Sequence, residues 1–402
     1  MGNSIVNPKR LESEGSAVIE DADVIITHIE VNDRHGVGKF VQMMYLGEPG
    51  IISIRSANLY GGDHDLGGLA FCIQHENKAR DAVFARVLDT MGDNTARRIV
   101  CIPYFADDVR TALAVKEIYG AALCTYLMDD QNVCTRDGIP DDLMGELLAK
   151  SRLRLAISPE MLRAYETKYG YKTWFMPPLV PCRLIPSRLI ARPGTLESRE
   201  GVIVGNIWGA KWVALLRETV RDSGVKLRWY CNGGFRWLPC RKDELPADSI
   251  IPCDPPKDEP LIKILRAAPF AVVPSGTLAE DDDRRFLAQL SLPSRMPYMM
   301  ATSHIPILVL GNRQTGAARF VEQFGIGLAA DYNRNAFIEA VNYITRPEVN
   351  LAMRKQALLA SARFTDAGAA EWIWQSLACG EATDRRFEDL MPKEGPLSHE
   401  GQ

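Results

Sequence analysis

The chain has 402 residues, more than a single hydrophobic core accommodates, so two domains are expected. Its 46% hydrophobic and 24% charged residues are ordinary for a globular protein. The net charge of −4 lacks the basic surplus of a general nucleic-acid binder, so no nucleic-acid partner is expected. The nine cysteines show no CxxC spacing, which signals neither a zinc knuckle nor a redox motif and fits reduced thiols. No apolar run reaches the roughly 18 to 20 residues of a spanning helix, and the N-terminal stretch has no apolar signal region. A cytoplasmic protein is expected, with peripheral contact at the inner membrane left open.

In chain order, "DVIITHIEV" (Asp23–Val31) reads as a buried strand, and "NDRHGVGKFVQMM" turns on two glycines into a helix. "GIISIRSANL" is the next strand. "NKARDAVFARVLDTMG" has helical spacing and ends at Gly92, a C-cap residue. Strand and helix then alternate through "RRIVCIPYF", "DDVRTALAVKEIYG", "AALCTYLMDD", "DDLMGELLAKS", "LRLAISP" and "EMLRAYETKYG". The proline-rich "WFMPPLVPCRLIPSRLIARPGTLESRE" (Trp174–Glu200) shows no period and reads as a linker. The rhythm restarts at "EGVIVGNIWGAKWVALLRETVRDSG" and continues through "VKLRWYCNGG", "PLIKILRAAPF", "AVVPSG", "LPSRMPYMMATS", "IPILVLG" and "TGAARFVEQFG" to closing helices. Strand alternating with helix implies parallel, doubly wound sheets, hence an α/β protein of two Rossmann-like domains facing a cleft. In such sheets ligands sit at the carboxyl ends of the strands.

Residues just after strands are therefore the site candidates. In "VGNIWGAK" (Val204–Lys211), Gly205 lets backbone N–H groups approach an anion, and the helix start carrying Lys211 adds positive charge. The alternative is a tight turn with a surface lysine. In "SLPSRMPYMM" (Ser291–Met300), Pro293 suits a first helical turn, Ser294 can donate to an anion or cap the helix, and Arg295 offers a planar fork for phosphate. Here the alternative is a solvated arginine at a helix start. In "NDRHGVGKF", Gly36 and Gly38 let the loop bend and His35 is a candidate acid, base or donor, against a plain turn. Asp129 and Asp130 end a strand in "TYLMDDQN", where a carboxylate can serve as a base toward a hydroxyl or as a helix cap. "EDDDRR" (Glu280–Arg285) could bind a divalent metal, although an exposed acidic loop is the expectation. "GGDHDLGG" sets His64 between Asp63 and Asp65, as a metal or acceptor ligand or, as expected, within a flexible loop. Trp372, Trp374 and His304 are expected to pack rather than bind.

The order of these motifs resembles a glycosyltransferase of the GT-B fold, family 4, of the polysaccharide-assembly type. The likeness spans about residues 20 to 380. "GVIVGNIWGAK" is similar to that family's strand-loop-lysine element, and "SLPSRMPYMMATSHIPILVLG" to its "PSK-x-x-EYMA-x-G-x-PVL" segment. "TGAARFVEQFGIGL" resembles the segment that follows. The resemblance implies that Lys211 and Arg295 hold a diphosphate, that Gly205, Asn206 and Ser294 assist, and that Thr315 and Gly316 lie near the donor phosphates. It implies that Gly36 and Gly38 belong to an acceptor-domain loop. It divides the chain into an acceptor domain (1–180), a linker (181–200), a nucleotide-sugar domain (201–370) and a C-terminal helix with a loose tail (371–402). Two features depart from the family. The positions of its paired glutamates carry Leu290 and Tyr298, and the arginine after the first glycine is Asn206.

The expected function is metal-independent transfer of a hexosyl or deoxyhexosyl group. The donor is a nucleotide diphosphate-sugar, taken as substrate with no bound cofactor. The acceptor is a hydroxyl on a glycan, a lipid-linked saccharide or a small molecule. Asp130, Asp129 and His35 are the expected catalytic residues. The alternative is a non-catalytic scaffold of the same fold that binds a nucleotide or a protein partner.

Overall fold

The computed structural model describes residues 18–391 except 33–34, 46–47, 49, 60, 65, 136–137, 190–195, 232–237, 239 and 255. The chain divides into two compact units. One comprises Met1–Ile157, Met161–Trp174 and Gly368–Thr383; the other comprises Ser158–Glu160, Phe175–Ala367 and Asp384–Gln402.

The first half of the chain runs β1 (Ala22–Thr27), α1 (Gly36–Tyr45), β2 (Ile51–Arg55), β3 (Leu69–Cys72), α2 (Arg80–Met91), β4 (Ala96–Cys101) and α3 (Ala106–Tyr119). It continues through β5 (Ala122–Leu127), α4 (Asp141–Lys150), β6 (Leu153–Ala156), α5 (Pro159–Tyr169) and β7 (Trp174–Phe175). These strands form one sheet in the order β3-β2-β1-β4-β5-β6-β7. β1 is parallel to both β2 and β4, with Val24 opposite Ile52 on one side and Ile99 on the other. All six β1 residues are buried, as a strand covered on both faces by helices must be.

The second half runs β8 (Glu200–Val204), α6 (Ala210–Val220), β9 (Lys226–Tyr230), β10 (Ile250–Cys253), α7 (Asp258–Ala267), β11 (Ala271–Pro274), α8 (Arg285–Leu290) and α9 (Arg295–Ser303). It ends with β12 (Ile307–Leu310), α10 (Gly316–Phe324), β13 (Gly327–Ala330), α11 (Arg334–Ile344), α12 (Pro347–Ser361) and α13 (Ala369–Cys379). The sheet order is β10-β9-β8-β11-β12-β13. Its core gathers Trp229, Phe270, Leu308 and Phe337. In both sheets the order reverses beside the first strand, between β1 and β4 and between β8 and β11. Loops after those strands flank a topological switch point, where open α/β sheets take their ligands.

Several local expectations shift. The strand expected over Asp23–Val31 ends at Thr27, so His28–Asn32 are loop. Helix α9 starts at Arg295, which leaves Pro293 ahead of the N-cap rather than in the first turn. The edge strands β3 and β10 are additions to the sequence reading. The proline-rich segment is tied down beyond β7: Val180 bridges Thr365, and the Cys182 amide donates to Asp366 Oδ1 at 2.9 Å. Residues 190–195 of that segment and the tail beyond 391 lie outside the described residues. Helix α13 belongs to the first unit, where Trp372 and Trp374 are buried and the Arg98 guanidinium lies 4.3 Å from the Trp374 ring. Among the described residues no helix is long and apolar enough to cross a membrane.

Candidate functional site

At the switch point of the second sheet, β8 delivers the chain into Gly205, whose φ of 81° lies in the left-handed region that favours glycine. A Cβ there would also sit 3.4 Å from Arg295 Nη1. The loop is held on several sides. The Gly205 amide donates to Tyr230 O at 2.8 Å, and its carbonyl accepts from Trp229 Nε1 at 2.8 Å. The Asn206 carbonyl accepts from Arg295 Nη1 at 2.5 Å, and its side-chain oxygen accepts from the Cys231 thiol at 2.8 Å.

Arg295 is half-buried, and its Nε is enclosed without a hydrogen-bond acceptor among the described residues. The ionisable groups acting on it are the Cys231 thiol and the Tyr332 phenol, not a carboxylate. Burial pushes the guanidinium down to about 10, which leaves it charged at neutral pH. A sequestered cation without a counter-charge is costly, and an anion beside it would offset that cost. Burial also raises the Cys231 thiol to about 11, so it stays a neutral donor.

Lys211, in the first turn of α6, is paired with Asp281. The acidic run is exposed, as expected from sequence, except at Asp282. Asp282 is buried: Oδ1 accepts from Trp212 Nε1 at 2.8 Å and from the Arg284 amide at 3.0 Å, while Oδ2 accepts from the Thr277 amide at 2.7 Å. Asp283 Oδ2 accepts from the Ala210 amide at 2.7 Å and so caps α6. Each of the three acids has a protein partner, and no group of three or more metal-ligating side chains occurs among the described residues. Ser294 is exposed and makes no cap hydrogen bond. Thr315 is buried and caps α10, its hydroxyl accepting from the Ala318 amide at 3.3 Å. Gly316 packs against the Ser291 carbonyl, which a Cβ would approach to 2.9 Å.

At the switch point of the first sheet the structure brings together residues that sequence reading missed. His28, just past β1, is stacked on Tyr104, just past β4, with ring centroids 3.8 Å apart and planes 20° apart. The Tyr104 hydroxyl donates to Asp129 Oδ2 at 2.6 Å. His35 meets His28 edge-on at 5.7 Å, and its Nδ1 accepts from the Val37 amide at 3.3 Å at the start of α1. Burial lowers His28 to about 3 and His35 to about 4, so both rings are neutral at pH 7. Gly36 opens α1, and Gly38 brings the helix against the loop after β1, where a Cβ would lie 2.8 Å from the Glu30 carbonyl.

Asp130 is buried and serves its own loop. Its carboxylate accepts from the amides of Asn132 (3.1 Å), Val133 (2.8 Å), Cys134 (2.9 Å) and Thr135 (3.1 Å) and from the Tyr165 hydroxyl (3.2 Å). Such a carboxylate fastens a turn, its oxygens committed to the donors of its own loop and of Tyr165. The loop expected to be flexible around His64 is also pinned. His64 Nδ1 accepts from the Val31 amide at 3.0 Å, and its Nε2 lies 2.6 Å from Ser53 Oγ. Asp65, and Asp33 and Arg34 of the first glycine loop, lie outside the described residues. His304 caps α9 with a φ of 55°, a packing role. Tyr298, at an expected glutamate position, directs its hydroxyl to Asp258 Oδ1 at 3.2 Å.

No protein-family model matches the chain, and no curated protein matches it. Solved structures do. HepE from Anabaena, solved with UDP, has a TM-score of 0.64 at 13% identity, covering 89% of this chain and 100% of that one. A glycosyltransferase from Rickettsia africae has a TM-score of 0.62 at 11% identity, covering 90% and 98%. WaaG, a glycosyltransferase of lipopolysaccharide biosynthesis, has a TM-score of 0.58 at 12% identity, covering 87% and 98%. At these identities the likeness shows the fold alone, that of GT-B proteins: two Rossmann-like, doubly wound parallel-sheet domains.

Proposed function

We propose that the chain is a glycosyltransferase that moves a hexosyl or deoxyhexosyl group from a nucleoside diphosphate-sugar to a hydroxyl acceptor. The observation that carries this reading is Arg295, a sequestered guanidinium without a carboxylate at the switch point of the second sheet. The solved complexes of HepE, with UDP and with UDP-glucose, support the choice of anion. In this reading Arg295, with the backbone at Gly205 and Asn206, takes up the negative charge that grows on the leaving diphosphate. Lys211 joins when Asp281 gives way, and Ser294, Thr315 and Gly316 border the phosphates. The charge is met by side chains and helix starts, so the reaction needs no metal and runs in EDTA.

The acceptor half falls to the first unit. Asp129 takes the acceptor O–H proton as the oxygen bonds to the sugar's anomeric carbon. The bond from that carbon to the diphosphate oxygen breaks, and its electron pair leaves with the diphosphate. His35, neutral at pH 7, is a hydrogen-bonding neighbour rather than a charged acid. Neutral imidazoles beside the half-buried Asp129 carboxylate suit an alcohol acceptor better than an anionic one. A saccharide, free or lipid-linked, meets that description, and peripheral membrane contact would follow from the lipid-linked case.

Calorimetry with UDP, ADP and GDP tests the reading. At least one is expected to bind, and Arg295→Ala should weaken that diphosphate by roughly 10- to 100-fold, the worth of a charge-assisted hydrogen bond. The matching nucleoside, which lacks phosphate, should lose little. The reading fails if none of the three binds at millimolar concentration, or if Arg295→Ala binds the diphosphate like wild type.

A further inference from the structure

We infer that Tyr104 is a positioning residue for Asp129, fixing its carboxylate in the orientation from which it meets the acceptor hydroxyl. The inference rests on the proposed acceptor-side role of Asp129 and adds a residue that neither motif nor resemblance assigns.

Three constraints hold the phenol. Its hydroxyl donates to Asp129 Oδ2 at 2.6 Å, the short distance of a hydrogen bond to an ionised acceptor. Its ring lies flat on His28, so it cannot swing about χ1 without breaking that stack. Its backbone is fastened by Asp108, buried in the first turn of α3, whose Oδ2 accepts from the amides of Tyr104 (2.9 Å) and Phe105 (2.8 Å). The other oxygen of Asp108 accepts from Ser56 Oγ at 2.5 Å, which ties the turn to the loop after β2. Strands β1, β2, β4 and β5 thus converge, through one residue each or two, on the orientation of a single carboxylate.

That is more fixation than packing requires. A phenylalanine at 104 would keep the stack on His28 and the buried area. It would remove the hydroxyl that donates to Asp129 Oδ2, so the hydroxyl is the group to test for a positioning task. Among the described residues, the titratable groups near the phenol include His28 past β1, His35 at α1, Asp108 in α3 and Asp129 past β5, with Glu30 acting on His35. Both histidines are neutral above about pH 5, so neither competes there with the carboxylates for a proton.

The test is Tyr104→Phe in the full chain labelled with aspartate carboxyl carbon-13. The Asp129 resonance is assigned by its loss in Asp129→Asn, and the Asp108 resonance by its loss in Asp108→Asn. The hydroxyl hydrogen-bonds the ionised form of Asp129, so its removal should move the Asp129 titration midpoint upward by roughly half a pH unit or more. UDP affinity should stay within twofold of wild type, which shows that the fold of the second unit is intact. An unmoved Asp129 midpoint overturns the positioning role and leaves the proposed base standing. Turnover of the donor that survives in Asp129→Asn, with the midpoint shifted as expected in Tyr104→Phe, overturns the acceptor-base reading instead.

Discussion

His28 at the first switch point is strongly perturbed, and the cause is burial together with the neighbouring His35. Its Nδ1 is enclosed without a hydrogen-bond partner among the described residues, and desolvation takes the imidazole from 6.5 down to about 3. The unfolded chain therefore binds a proton here below pH 6.5 that the folded chain refuses until about pH 3. Stability from this site is complete above 6.5 and is lost as pH falls through that window. Asp108 works the other way. Burial raises its carboxyl from 3.8 to about 6, so the folded state holds a proton that the unfolded state releases, and its contribution grows as pH falls from 6 to 3.8. His28→Phe keeps the stack on Tyr104 and removes only the first effect. Thermal unfolding between pH 7 and 5 should therefore fall less steeply in His28→Phe than in wild type; equal slopes would show that His28 does not carry the acid sensitivity. The same residue marks the limit of sequence reading. Gly205 and Arg295 announce themselves by type and spacing. His28 follows an apolar run like any core residue, and Tyr104 lies in "IPYF", which reads as more strand. Their chemistry exists only because β1 and β4 are neighbours, a fact of topology and not of either segment.

At the scale of elements, the alternation of buried strands and amphipathic helices was legible because each element carries its own period. The elements that were not legible are short or marginal. β3 is four half-buried residues at a sheet edge, and β10 contains Pro252, which an edge strand tolerates because no neighbour needs its missing N–H. The acidic segment before α8 is exposed as expected save at one position, which sequence could not single out: three adjacent aspartates look alike in sequence but differ in the fold. Asp282 serves Trp212, Thr277 and Arg284 from a buried position, whereas Asp281 reaches Lys211 from an exposed one. Asp282→Ala should cost about 3 kcal/mol of stability by leaving several buried donors without acceptors. Asp281→Ala should leave the unfolding temperature unchanged. It should also strengthen UDP binding by roughly two- to fivefold, because Lys211 no longer has a competing carboxylate. Paired unfolding scans and UDP titrations separate the two, and weaker UDP binding in Asp281→Ala would count against Lys211 as a phosphate ligand.

For the molecule as a whole, two sheets that share one strand order, apart from a seventh strand in the first, each place a switch point beside their first strand, but the chain does not visit them in a simple sequence. After completing the second sheet it returns, as α13, to the first unit. There Trp374 packs under Arg98 at 4.3 Å and against Tyr45 at 5.6 Å, and Arg152 donates to the Ala378 carbonyl. The aromatic pair "WIW" was readable as packing; which unit it packs in was not, because helical period says nothing about the partner. This return makes the units thermodynamically separable by a single substitution. Trp374→Ala removes a buried aromatic from the first unit, at a cost of about 3 to 5 kcal/mol, while every donor-side residue lies in the second. Calorimetry of the variant should resolve a lowered transition from the first unit and an upper one from the second. Because a ligand stabilises only the unit that binds it, UDP should raise the upper transition and leave the lower in place. A single transition raised as a whole by UDP would mean that the two units unfold as one body, and that the anion site at Arg295 draws its stability from both.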